Sequence, residues 1–329
     1  MGKDHGAAMK KYLSKKIMYL SLTLVLFSGL PFDIVANNNG AYPGSFSRMG
    51  FGARGMAMGN AVNAVTLGAM GSYYNPATIA FTDVPTFDAS MGLLSLDRSL
   101  NFLHFTTHIP PSAGFSVSVI NAGVSDIDGR NRDGVHTGYL STSENLFSFG
   151  FGLQFSDRFA GGIAFKLFYF NLYDDMSSTT VGLDLGVIYK VDNRITLSAN
   201  IKDINSKYKW DSTPLYEQQG RSTTDDFPLL YQIGGSYLSE DKTLLVSIQG
   251  EYSDAYNFIL RAGVEAYMTE NIILRGGIED LTNDELNKPS LGIGIRYPVR
   301  DWLPSFNYTL VFEPNAPSNF HVLSVGIEF

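Results

Sequence analysis

The stretch Asn319-Phe320-His321-Val322-Leu323-Ser324-Val325-Gly326-Ile327-Glu328-Phe329 alternates strictly. Phe329, Ile327, Val325, Leu323 and His321 fall on one face. Glu328, Gly326, Ser324 and Val322 fall on the other. A period of two marks a β-strand with one oily and one small or polar face. An aromatic residue closes the stretch. A strand of this kind suits a closed transmembrane barrel, in which the last strand pairs with the first and aromatic residues sit at the membrane interface.

Working back from this strand, the same grammar repeats. Windows of about ten alternating residues, the length a tilted membrane strand needs, occur at 86–95, 100–109, 113–122, 145–155, 159–172, 179–191, 194–203, 228–238, 243–253, 256–268, 271–279, 289–297, 305–313 and 319–329. They predict about 14 antiparallel strands over residues 86–329. Phe147, Phe149, Phe151, Leu153 and Phe155 oppose Ser148, Gly150, Gly152 and Gln154. The faces opposite the apolar ones carry Asp184, Lys190, Arg261, Glu265, Arg275 and Glu279. Charges of both signs can pair inside a lumen, whereas each would cost about 2–4 kcal/mol on a lipid face at mid-membrane. These six residues are therefore expected to face the lumen, as are Phe168 and Phe170, which would make part of it greasy.

Two kinds of connection separate the strands. Tight turns are read at 156–158, 192–193, 240–242, 253–255 and 269–270. Long polar loops are read at 125–143 and 207–226, the latter carrying Trp210 and Tyr216 and able to fold over the barrel mouth. Short turns on one side and long loops on the other are usual in such barrels.

The N-terminus reads as a cleavable export signal over residues 1–36. Lys10, Lys11, Lys15 and Lys16 precede the apolar run Ile17–Leu30, and Pro31 then breaks it. The whole chain has a formal net charge of −8. Residues 1–36 hold five lysines and two aspartates, so the remainder stands at −11. An acidic chain is a poor partner for nucleic acid, which demands a basic surface. Cysteine is absent, so no disulfide holds the fold together. With 23 Phe, 18 Tyr and 33 Gly, and only 17% charged residues, the composition suits a sheet protein with aromatic belts and tight turns.

Residues 37–85 lack the alternation. Within Phe46–Ala80, glycines at 50, 52, 55, 59, 68 and 71 lie among small and apolar residues. Short helical turns are expected, with backbone packed closely in a confined space. Gly50-Phe51-Gly52-Ala53-Arg54-Gly55 fits GxGxxG, but the strand, helix and βαβ unit that a dinucleotide site needs are missing. Asp126-Ile127-Asp128-Gly129 with Asp133 lacks the full twelve-residue calcium pattern. His104 and His108 share a strand face, yet no GxSxG or HExxH accompanies them. No enzyme activity, cofactor or metal is expected.

Asn75-Pro76-Ala77 reads locally as a turn. Its surroundings are more specific. Gly52-Ala53-Arg54-Gly55-Met56-Ala57-Met58-Gly59-Asn60-Ala61, followed by Tyr73-Tyr74-Asn75-Pro76-Ala77-Thr78-Ile79-Ala80, resembles the signature of the PorV/PorQ family of outer-membrane proteins, within the wider FadL-like fatty-acid transporter superfamily. The resemblance implies an all-β fold: a 14-stranded transmembrane antiparallel β-barrel with an N-terminal plug inside the lumen. Arg54, Gly55, Met56, Met58, Gly59, Asn75, Pro76 and Ala77 would belong to the plug and gate. It further implies that Phe329 is a signal for the barrel-assembly machinery. The expected location is the cell outer membrane, with outer-membrane lipid around the barrel. Two activities follow as expectations. One is binding or passage of a hydrophobic small molecule of fatty-acid type through the plugged lumen, with Met56, Met58 and Met70 able to adapt to it. The other is a PorV-like role in holding or shuttling secretion-system proteins. An outer-membrane lipid hydrolase is a more distant third.

Overall fold

The computed structural model describes residues 42–329, apart from 67, 69–70, 174–175, 214–219, 254, 256–257 and 283–286. The export signal, the first part of the leader, Met70 and Tyr216 lie outside the described residues.

Alternation produces a sheet that closes on itself. The strands are β1 (Thr86–Leu93), β2 (Arg98–Ile109), β3 (Ala113–Arg130), β4 (His136–Ser156), β5 (Phe159–Tyr173), β6 (Met176–Lys190) and β7 (Ile195–Ile204). After β8 (Lys207–Asp211) and β9 (Ser222–Asp226) come β10 (Leu230–Leu238), β11 (Leu244–Ser253), β12 (Ile259–Tyr267) and β13 (Ile272–Glu279). The last three are β14 (Lys288–Arg296), β15 (Leu303–Val311) and β16 (Phe320–Glu328). All but β8 and β9 form one closed antiparallel barrel of fourteen strands. The seam is the pair β1–β16, in register from Thr86 opposite Glu328 to Leu93 opposite His321. The Phe329 N–H donates to Pro85 O and extends that pairing. A closed sheet leaves no strand edge unpaired.

The polarity of the barrel is the reverse of a soluble one. Outward-facing Phe149, Ile233 and Val325 are 46%, 65% and 59% exposed. Inward-facing Asp184, Glu265 and Ser116 are fully buried. The apolar core also lies inside, where Phe46, Phe51, Met56, Met58, Phe102, Phe168 and Phe320 belong to one cluster.

Three features depart from the sequence expectation. The stretch 125–143 is not a loop: β3 runs on to Arg130 and β4 resumes at His136, with register shifts after Val124 and Gly129. Polar residues pair as well as apolar ones once a ribbon extends past the sheet, because ladder hydrogen bonds are made by backbone. The stretch 207–226 carries its own hairpin, β8 against β9. Antiparallel order also places the connection at 253–255 at the same end as these long hairpins, away from the turns at 156–158 and 192–193. Turn length did not reveal this, since strand parity alone fixes the end at which a connection lies.

Candidate functional site

The non-alternating segment before β1 folds into short turns of helix: Ser45–Arg48, Gly52–Ala57, Gly71–Tyr74 and Pro76–Phe81. Isolated helices this short are not stable in water, so their partners matter. These partners are the inward side chains of the strands. Ala53 N–H donates to Ser324 Oγ at 2.8 Å, and Thr309 Oγ1 donates to Ala53 O at 2.6 Å. Ser290 Oγ donates to Ala57 O at 3.1 Å, and Ser236 Oγ to Ala64 O at 2.9 Å. Backbone groups left open by short helices are satisfied by the barrel wall, as burial requires.

The strongest attachment is ionic. Arg54 binds Glu265 through two parallel bonds, Nε to Oε2 and Nη2 to Oε1, both 2.8 Å. Glu265 also accepts from Arg275 Nε at 2.6 Å and from Tyr267 Oη at 3.0 Å. Arg275 Nη1 continues to Asn307 Oδ1 at 2.9 Å. A bidentate guanidinium–carboxylate pair fixes geometry as well as charge.

A second network runs along the neighbouring wall. Lys288 stands 3.2 Å from Glu313, and Arg261 3.5 Å from Glu279 and 3.1 Å from Glu251. Gln232 Nε2 donates to Glu251, and Asn200 Nδ2 donates to Gln232 Oε1 at 2.7 Å and to Tyr74 O at 2.9 Å. Asn63 Nδ2 donates to Asn200 Oδ1 at 3.3 Å, and Asn75 Nδ2 reaches Asn63 O at 3.1 Å. Polar contacts thus connect one end of the barrel to the Asn75 turn. Lys166 lies 2.7 Å from Asp184 and 2.8 Å from Asp203 in a separate buried cluster.

Asn75 caps the turn of Pro76–Phe81. Its Oδ1 accepts from Ala77 N–H at 3.0 Å, and its Nδ2 also donates to Val187 O, a strand carbonyl, at 3.2 Å. The wall behind the turn is glycine. A Cβ at Gly186 would stand 2.0 Å from Asn75 Oδ1, and one at Gly162 2.3 Å from the Pro76 carbonyl carbon. Only glycine lets two backbones approach this closely. Gly59, with φ +59°, makes a similar approach to Ile278 of β13.

Arg54, Gly55, Met56, Met58, Gly59, Asn75, Pro76 and Ala77 are all buried in this segment. Asp184, Arg261, Glu265 and Arg275 are buried, and Glu279 is half-buried beside Arg261. Lys190 covers the Phe81 ring at 3.7 Å from its centroid. Phe168 meets Phe46 edge-on at 6.4 Å, and Phe170 packs against Tyr208 and Trp210, each at 5.3 Å. The β8–β9 hairpin therefore turns its aromatic face inward at the long-hairpin end. Phe329 is exposed. Asn63, Asn200, Gln232, Glu251 and Lys166 were not singled out from sequence. The inward strand positions of Asn200, Gln232, Glu251 and Lys166 were legible; their partners, and the place of Asn63 in the segment, were not. Among the described residues, no group of three or more His, Asp or Glu is placed to hold a metal ion.

Two concavities frame this arrangement. One of about 440 Å³ opens at the long-hairpin end, with Met49, Leu94, Ile259 and Phe320 beside Arg48 and Glu279. A larger one, about 760 Å³, lies on the outer face of β4 to β11 and not in the lumen. There Gly161, Val187, Ala199, Ile233 and Gly250 form one transverse row. Small members of the row leave a groove ringed by Phe151, Phe155 and Tyr231. Outside the membrane-depth wall, the Asp128 carboxyl is held below its ordinary range by hydrogen bonds from His136 and Arg130.

No protein-family model and no curated protein matches the chain. Solved structures do match in fold. The CymD monoaromatic hydrocarbon channel aligns with a TM-score of 0.62 at 14% identity, covering 85% of this chain and 97% of that one. A Pseudomonas aeruginosa FadL homologue gives 0.58 at 11%, covering 85% and 98%. The Pseudomonas putida toluene transporter TodX gives 0.55 at 12%, covering 85% and 97%. The chain therefore has the FadL-like barrel fold.

Proposed function

We propose that this protein is an outer-membrane channel for hydrophobic small molecules, with about residues 45–85 forming a plug in its lumen. The observation that carries the proposal is the inverted polarity of the closed barrel, together with a segment bonded to its inner wall. An apolar outer belt suits surrounding lipid, and closure satisfies every strand's backbone groups in a medium without water. The fold it shares with structures described as hydrocarbon channels and a toluene transporter supports the same class of cargo. In this reading a molecule enters at the cavity beside Met49 and Phe320. It passes once Arg54 and its neighbours release the segment from the wall, so those residues and Asn75-Pro76-Ala77 form the gate. Residues 1–36 direct export, and Phe329 marks the chain for barrel assembly. No catalytic residue is assigned.

The proposal is tested by reconstituting the protein in liposomes and measuring entry of a radiolabelled fatty acid and of toluene. Entry no faster than into protein-free liposomes would overturn it. Heat-modifiable gel mobility should accompany an intact barrel.

A second reading follows the PorV/PorQ resemblance. The β3–β4 ribbon continues past the last β2 partner at Val124 and exposes Val135 and Tyr139, which are 59% and 71% accessible. Such a ribbon could hold a secreted protein. Co-purification of a secretion complex that is lost on deleting residues 126–140 would favour it over passage of small molecules.

A further inference from the structure

Polar groups of the N-terminal segment are bonded to the wall on β6, β7 and β10 to β16. Facing β2 to β4, Thr82 Oγ1 stands 3.5 Å from Thr106 Oγ1, but deeper polar groups of these strands differ. His104, Ser118 and Ser148 form one transverse row on these strands, and Thr106, Ser116 and Gly150 form the next. All six face inward. Both ring nitrogens of His104 and the hydroxyls of Ser116 and Ser148 have no protein hydrogen-bond partner. The Ser72 hydroxyl, on the segment, has none either. None of the four is more than 3% exposed. Ser116 and Ser72 share one neighbourhood, since a Cβ at Gly150 would stand 2.6 Å from Ser116 Oγ and 2.8 Å from Ser72 Cβ, and His104 and Ser148 lie in the adjacent row.

One row nearer the long-hairpin end the wall turns apolar, with Phe102, Ile120, Leu146 and Phe168 side by side. Inward rows lie two residues apart, roughly 6.6 Å. An oily row is therefore stacked directly on a row in which His104 and Ser148 have no protein hydrogen-bond partner. The Phe51 ring sits at the junction, 4.8 Å from Phe102 and 5.8 Å edge-on from His104. It stacks on Tyr73 at 5.2 Å. Phe51 thus holds the place of an aromatic ring but brings no group that could satisfy the polar row.

We propose that this ledge is a binding step for a small aromatic molecule with one neutral hydroxyl, a phenol-type guest. Its ring takes the place of Phe51 against Phe102 and Ile120. Its hydroxyl meets His104 and the neighbouring serines. A neutral imidazole presents one donor and one acceptor, and each serine hydroxyl does both. The next member of the row, Lys166 on β5, is already paired with Asp184 and Asp203, so the guest needs no charge. A plain hydrocarbon would fill the oily row and leave the polar row unpartnered.

This inference rests on the channel reading above. The test uses the full-length protein in detergent, with p-cresol and toluene as probes in equilibrium binding. His104→Phe keeps a ring of similar size and removes both nitrogens. Ser148→Ala removes one hydroxyl. Heat-modifiable mobility confirms that each variant is folded. In His104→Phe, p-cresol affinity should fall about tenfold, the scale of one net hydrogen bond, while toluene affinity stays within about twofold. Ser148→Ala should show a smaller loss with the same selectivity. Equal changes for both probes, or no change for p-cresol, would overturn the ledge and leave the channel standing. Failure of the unmodified protein to bind either probe would overturn both.

Discussion

Removing the charge on Glu265 should release the N-terminal segment. Glu265→Gln keeps the shape of the side chain but leaves Arg54 and Arg275 facing one another with no anion between them. The carboxylate holds Arg54 by two 2.8 Å bonds and Arg275 by one of 2.6 Å, and it is fully buried. Breaking a buried pair from one side costs about 3–5 kcal/mol, mostly because the surviving charge stays desolvated. At about 1.4 kcal/mol per decade, the released form should rise roughly one-hundred- to several-thousand-fold. The chain has no cysteine, so a single Ala57→Cys provides a clean reporter, buried when the segment is seated. Maleimide labelling of that thiol should accelerate by this factor in Glu265→Gln while the barrel keeps its heat-modifiable mobility. Adding Arg54→Met should add less than the separate effects predict, because the two residues share one interaction. Labelling at the unmodified rate in Glu265→Gln would refute the latch.

Other expectations follow from the same contacts. Gly186→Ala places a methyl 2.0 Å from Asn75 Oδ1, so it should cost about 1–3 kcal/mol of segment docking in the same labelling assay. Asn75→Asp keeps the acceptor for Ala77 N–H but loses the donors to Asn63 O and Val187 O; Asn75→Ala loses both functions and should label faster than Asn75→Asp. Phe149→Arg puts a charge on the outer belt and should lower barrel stability by about 2–4 kcal/mol in bilayer unfolding. Asp128 titrates below its ordinary range because of His136 and Arg130, so its support for the ribbon is present above the unfolded carboxylate range and fades as pH falls through the folded one. Amide exchange at Tyr139 should therefore lose protection in acid relative to an Asp128→Asn control, whose ratio should stay flat.

Much of the fold was legible because strand alternation is local. Ser148 and Phe149 differ in neighbourhood only through the sheet's pleat, so their faces could be assigned from spacing alone. The same logic put Glu265, Arg275 and Asp184 inside. Alternation stops being informative where a ribbon leaves the barrel, as at Asp126 to His136. There neither face is buried, and pairing rests on backbone bonds that carry no side-chain signature. The Trp210 hairpin was hidden for a related reason: its aromatic residues pack on Phe170, contributed by a strand far away in sequence.

For the candidate site the division is sharper. The sequence determined a barrel of fourteen alternating strands, closed by the stretch ending at Phe329, and a glycine-rich segment of different texture before it. Those properties depend on residue periods of two and on small side chains, both of which a linear reading can detect. Only the tertiary structure decided that Arg54 meets Glu265, that Asn75 reaches Val187 O, and that His104 and Ser148 stand in one row beside Phe51. These pairs are set by strand register around a closed ring, and register is a relation between distant segments that no single stretch contains.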